Sequence, residues 1–170
     1  MTQTLVKLLL WFGAIGCGLI AGVYFAFSTF VMPAFGRIDA AHAVAAFNSI
    51  NSTILRSLFM PLFFGTTLAS LAFVIIALVS WGKPGSTTIL AGGLIYVTGM
   101  FLCTMFFNVP LNNALAAVDP SEANAAIAWA RFFRNWVMWN HVRTLASTAA
   151  CVLYMWAIVA RSTMQSLVQK

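Results

Sequence analysis

The chain has 170 residues, of which 62% are hydrophobic and 7% charged, and its mean hydropathy is +0.93. Soluble domains carry about a quarter charged residues, so an ordinary soluble class is excluded and an integral membrane protein is expected, as one domain (1–170) whose useful count is spans. The net charge of +6 would suggest nucleic acid in a soluble chain, but these cations stand singly at the ends of apolar runs. They read as topology signals, and no nucleic-acid partner is expected.

The first span is predicted over 8–32, closed by Pro33, which cannot continue a helical ladder. The uncharged run from Leu8 to Phe35 far exceeds a signal-peptide core, so it is expected to remain as a span. Gly18 and Gly22 form a small-xxx-small pair, which suits internal helix packing first and leaves a homo-oligomer open. Cys17, Cys103 and Cys151 lie singly in apolar runs and read as inert buried thiols, with neither disulfide nor zinc spacing.

Asp39 to Thr53 is too polar to span. Asp39 can cap a short interfacial helix carrying Ala40, Ala41, Val44, Phe47 and Ile50. His42 in it reads as solvated, and Asn51-Ser52-Thr53 matches a sequon too frequent to weigh. The second span, 57–81, has Pro61 near its start and Trp81 as an interfacial anchor. Arg56, one turn before it, either snorkels to headgroups or turns inward to hold an anion.

Lys83-Pro84-Gly85-Ser86 is a tight turn between antiparallel neighbours. The third span, 88–108, leaves Asn108-Val109-Pro110-Leu111-Asn112-Asn113 at the far membrane face, and its Gly92, Tyr96 and Gly99 share a stripe that lets a neighbour or ligand come close. Asp119-Pro120-Ser121-Glu122 reads as a helix start. Helical periodicity then runs to Arg161, with Ala123 to Met138 interfacial and 140–160 as the fourth span.

The predicted fold is all-α: an integral membrane four-helix bundle with two interfacial amphipathic segments and both termini on one side. Lys7, Lys83, Arg161 and Lys170 mark the terminal side, and Arg37, Arg56, Arg131, Arg134 and Arg143 the other. With the lysines taken as the cytoplasmic marker, the termini are expected in the cytoplasm of a bacterial inner membrane.

Two polar segments meet at the non-terminal side. Asn108 and Asn112, four apart, stack on one helical face; Pro110 between them is expected to disturb the local ladder and leave an irregular helix end, which either caps span three or lines a wet cavity. On the fourth helix, Trp129, Phe133, Trp136, Asn140, Arg143 and Ser147 follow at steps of three or four, forming a stripe that begins aromatic and turns polar. Arg143 falls at or just inside the hydrocarbon edge, where a cation faces a partner or a cavity. The acids of the chain, Asp39, Asp119 and Glu122, all lie in loops or helix starts. An anionic ligand group, or asparagine and backbone oxygens, must serve.

Asn108-Val109-Pro110-Leu111-Asn112 closing the third span and Trp139-Asn140-His141-Val142-Arg143-Thr144 opening the fourth resemble the anthrone oxygenase-like family of small membrane proteins. The resemblance implies oxidation of an anthrone to an anthraquinone by molecular oxygen with no metal, flavin or other cofactor, in a pocket that takes a hydrophobic aromatic or quinol-like molecule from among the membrane lipids. Under it, His141 is the candidate base and Arg143 the oxyanion partner. Asn108, Asn112 and Asn140 are candidate donors, with Trp136, Trp139 and Phe133 as a ring-binding surface and Arg56 as a further substrate contact. The alternative is a non-catalytic membrane subunit or a lipid- or quinone-binding protein. Haem or copper on His42 and His141 is a weaker third reading, and transport is disfavoured without an acid in mid-membrane.

Overall fold

The computed structural model describes residues 3–119 and 124–168, with side chains at 4–119 and 124–163. Every regular element among them is helical: α1 (Thr4–Phe35), α2 (Ala40–Ile54), α3 (Phe59–Val79), α4 (Ser86–Ala116) and α5 (Ala125–Val168). All but α2 are long and apolar enough to cross a membrane, so the chain is an integral membrane four-helix bundle. The 44 residues of α5 extend about 66 Å at 1.5 Å per residue, twice a hydrocarbon core of about 30 Å, so much of this helix projects beyond it. Of the expected helix start, Pro120 to Glu122 lie outside the described residues.

In the main core Leu10, Ile20, Phe73, Tyr96 and Tyr154 are buried together. Leu68, Ile75, Leu145 and Trp156 remain exposed, as a lipid-facing surface requires. Two glycines of the expected stripe permit close approach to α5. A Cβ at Gly92 would stand 2.7 Å from the Tyr154 ring, and one at Gly99 2.6 Å from the Ala146 Cβ. The neighbour admitted by this stripe is therefore a helix. Tyr154 also donates to Ser70 Oγ at 3.0 Å, tying α5 to α3.

A smaller cluster covers the non-terminal end. Asp39 caps α2 by accepting from the Ala41 N–H at 2.9 Å. Phe47 then packs edge-on against Phe132 and Trp136 of α5, at 4.7 and 5.4 Å between centroids. Met32 and Leu115 complete the layer.

Two sequence expectations about prolines are corrected. Pro33 does not close the first span, and Asn108 to Asn113 is not an irregular end. In α1 a π-helical turn, Phe27–Val31, precedes Pro33, and α-helix resumes over Met32–Phe35. In α4 the π segments Val97–Leu102 and Thr104–Asn108 precede Pro110, and α-helix runs on from Val109 to Ala116. A proline ring strikes the carbonyl four residues back and offers no N–H. The wider π turn shifts the ladder there, so the helix continues instead of breaking.

Candidate functional site

Arg143 lies on the buried stripe of α5, with 4% of its surface exposed. Its position is set by commitments made on two other helices. Asn140, one turn earlier, donates its amide to the Tyr24 carbonyl and to Ser28 Oγ of α1, both at 2.6 Å. That fixes the amide with Oδ1 toward Arg143, whose Nη2 donates to it at 2.5 Å. Thr104 of α4 gives its hydroxyl proton to the Met100 carbonyl at 2.7 Å and accepts weakly from Arg143 Nη1 at 3.4 Å. Ring faces supply the rest: the guanidinium carbon is 4.1 Å from the Tyr24 centroid and 5.2 Å from that of Trp136. These partners are all neutral. Arg143 Nε and Asn108 Oδ1 are fully enclosed and have no hydrogen-bond partner among the described residues.

The guanidinium faces a cavity of about 170 Å³; a void of about 150 Å³ holds one benzene ring, so a molecule of three fused rings would extend from this cavity into its mouth. All four spans and α2 line the cavity. Tyr24, Thr104, Trp136 and Arg143 stand at its inner end, and Phe47, Phe59 and Phe63 provide aromatic wall. Toward α2 the wall turns polar, in a chain of hydrogen bonds. Trp136 Nε1 donates to Asn112 Oδ1 at 2.9 Å, and Asn112 Nδ2 donates to Asn51 Oδ1 at 2.9 Å. This links α5, α4 and α2 and closes that side of the cavity with oriented amides.

Of the residues singled out from sequence, Arg143, Asn112 and Trp136 line the cavity. Asn140 and Asn108 are buried just behind it, Asn140 holding Arg143 and Asn108 donating to the Trp136 carbonyl at 3.4 Å. Four others lie elsewhere. His141 is exposed, because the step of about 100° from Asn140 turns it off the buried stripe. Arg56 is exposed as well, the snorkelling alternative. Trp139 stacks on Phe107 with centroids 3.7 Å apart, and Phe133 packs edge-on against Trp129. Besides the third and fourth spans, α1, α2 and α3 contribute much of the cavity wall. Tyr24, Thr104 and Asn51 were missed. Tyr24 carried a signal, being a lone phenol in the apolar run of the first span. Asn51 was dismissed as part of a sequon, and Thr104 gave no sign.

Among the described residues, no three of histidine, cysteine, aspartate and glutamate come together as metal ligands would. No curated protein and no solved structure matches the chain. A family model described as anthrone oxygenase matches residues 52–153, a stretch that holds α3, α4, both polar motifs and α5 as far as Leu153. The match covers more than half of the sequence, and the chain belongs to the anthrone oxygenase family.

Proposed function

We propose that this protein oxidises a flat, anthrone- or quinol-like aromatic molecule with molecular oxygen, holding its ionised oxygen on Arg143. The observation that carries this reading is a buried guanidinium that lines an aromatic cavity and has only neutral partners among the described residues. A cation so placed stabilises an anion far more than one in water does. For an anthrone, loss of a proton from the ring methylene puts negative charge on the carbonyl oxygen, beside Arg143, while the methylene carbon becomes electron-rich. That carbon transfers electrons to oxygen and forms a carbon–oxygen bond, giving a hydroperoxide. Loss of water from the hydroperoxide leaves the second ketone, so one anthrone and one dioxygen give one quinone and one water. The proton lost from the methylene is returned to the peroxide oxygen and leaves in the water, so the conversion needs no net proton sink.

A second reading, a non-catalytic quinone- or lipid-binding protein, is favoured by one observation: His141, the expected base, is exposed and outside the cavity lining. The two separate on turnover. Anthrone added under oxygen to liposomes carrying the protein should be converted to anthraquinone faster than in protein-free liposomes, with matching oxygen uptake. Equal rates with and without protein, alongside saturable binding, would establish the second reading instead. With Arg143 set aside as a site residue the cations divide evenly, Lys7, Lys83, Arg161 and Lys170 against Arg37, Arg56, Arg131 and Arg134; taking the lysines as the marker, we place the termini in the cytoplasm of a bacterial inner membrane, with the cavity toward the outer leaflet.

A further inference from the structure

The cavity has a polar inner end and an apolar opening, and the opening lies between two membrane helices. From the Lys83 turn to mid-bundle α3 packs closely on α4, and at the level of Phe63 and Phe101 their rings are still 5.8 Å apart. Beyond that level the helices part. Met60 of α3 and Met105 and Val109 of α4 line the gap, with Phe64 on its rim at the level of Phe63 and the end of α2, Ile54 and Leu55, also in the lining. Leu55 is 60%, Phe64 46% and Met105 37% exposed, although all three belong to the cavity wall; they therefore mark its mouth, which runs from the end of α2 down between α3 and α4. Phe64 stands five residues inside the start of α3, about 7 to 8 Å along the helix at 1.5 Å per residue. That is the depth of acyl chains, and the neighbouring outward residue, Leu68, is 66% exposed on the same face.

We infer that the cavity is filled sideways from the bilayer: an uncharged, flat, apolar molecule dissolved in the leaflet passes between α3 and α4 and meets charge only at Arg143. The class of molecule rests on the oxidation proposed above; the route does not. An ion would have to shed its water against Phe64, Met105 and Leu55 before reaching any counter-charge, and that desolvation is costly. A neutral keto or phenol form crosses the same rim freely, and ionisation on Arg143 then holds it inside. Molecular oxygen, itself apolar, takes the same route.

The test uses thiol labelling of the full chain in liposomes. With Cys17, Cys103 and Cys151 replaced by serine, Val23→Cys places one thiol on the cavity wall beside Tyr24. A lipid-partitioning methanethiosulfonate nitroxide should modify it, whereas the charged trimethylammonium analogue should react at least about tenfold more slowly. Widening a side chain at the mouth, by Met105→Trp or separately Phe64→Trp, should slow the nitroxide by about tenfold, as gated access slows association. Equal labelling by the charged reagent, or nitroxide rates unmoved by both tryptophans, would overturn the lateral route. Because labelling needs no turnover, the expected pattern together with no anthrone oxidation would leave the route standing and remove the oxidation reading. Anthrone oxidation with the opposite labelling pattern would do the reverse.

Discussion

Arg143→Met separates a residue kept for stability from one kept for a ligand, because the two roles predict opposite results. In the unliganded protein the guanidinium gains one good hydrogen bond, to Asn140, one long one, to Thr104, and a ring face 4.1 Å away. A charged hydrogen bond contributes about 1.5–3 kcal/mol and a desolvated cation–π contact about 2 kcal/mol. Removing an ion from water costs several kcal/mol even after relaxation, and a buried charge replaced by an apolar side chain of similar volume is often neutral or stabilising. The two sides nearly cancel apart from the stranded Asn140 Oδ1, which costs about 1–3 kcal/mol, so Arg143→Met is expected to lose no more than about 3 kcal/mol of stability. The anion formed during turnover has no such compensation. Loss of its donor should lower kcat by about 100- to 1,000-fold, equivalent to about 2.7–4 kcal/mol. Thermal unfolding in detergent and anthraquinone formation in liposomes read the two quantities on one preparation. A variant that unfolds several degrees earlier yet keeps its turnover would refute the reasoning, since Arg143 would then be holding helices rather than ligand.

Asn140→Leu should lose both properties, because it strands Ser28, the second lone pair of the Tyr24 carbonyl and Arg143 at once; a stability loss of about 1–3 kcal/mol, read by thermal unfolding, should accompany loss of turnover. Gly99→Ala puts a methyl 2.6 Å from the Ala146 Cβ, neither of which can rotate away, so α4 and α5 must separate at a cost of about 1–3 kcal/mol, again measured by unfolding. His141→Ala, on an exposed position, should leave anthraquinone formation within about twofold of the parent, as surface changes usually alter energies by less than about 0.5 kcal/mol; a 100-fold loss would return the base role to this residue. Trp136→Phe removes the donor to Asn112 while keeping a ring, and should weaken binding of anthraquinone, followed by fluorescence titration, more than it lowers the unfolding temperature.

The bundle was legible because lipid imposes length and apolarity on each span, and the Asp39 cap because a capping side chain acts within two residues. The buried stripe of α5 was legible for the same local reason. Steps of three and four fix a face, and Trp136, Asn140, Arg143 and Ser147 are all buried along it. His141 shows where motif reading fails. It is adjacent to Asn140 in sequence and so was grouped with the site, yet helical geometry turns it outward. Asn51 was illegible as a site residue, and Tyr24 legible only as a lone phenol in an apolar run, because their roles depend on α1 and α2 meeting α5, a long-range docking that no local pattern encodes. The prolines misled for a related reason: Pro33 and Pro110 are helix breakers locally, but π turns just before them absorb the misfit.

The central claim is that the inner end of the cavity stabilises an aromatic oxyanion. The absorption spectrum of an ionisable anthrone such as 1,8-dihydroxyanthrone, bound under anaerobic conditions near neutral pH, reports this directly, since its anion absorbs at longer wavelength than the neutral form. Binding to the parent protein should produce the spectrum of the anion at a pH where the free molecule in the same lipid is neutral, and Arg143→Met should bind it without that change. A bound molecule that stays neutral on the parent protein, or ionises equally on Arg143→Met, would contradict the account.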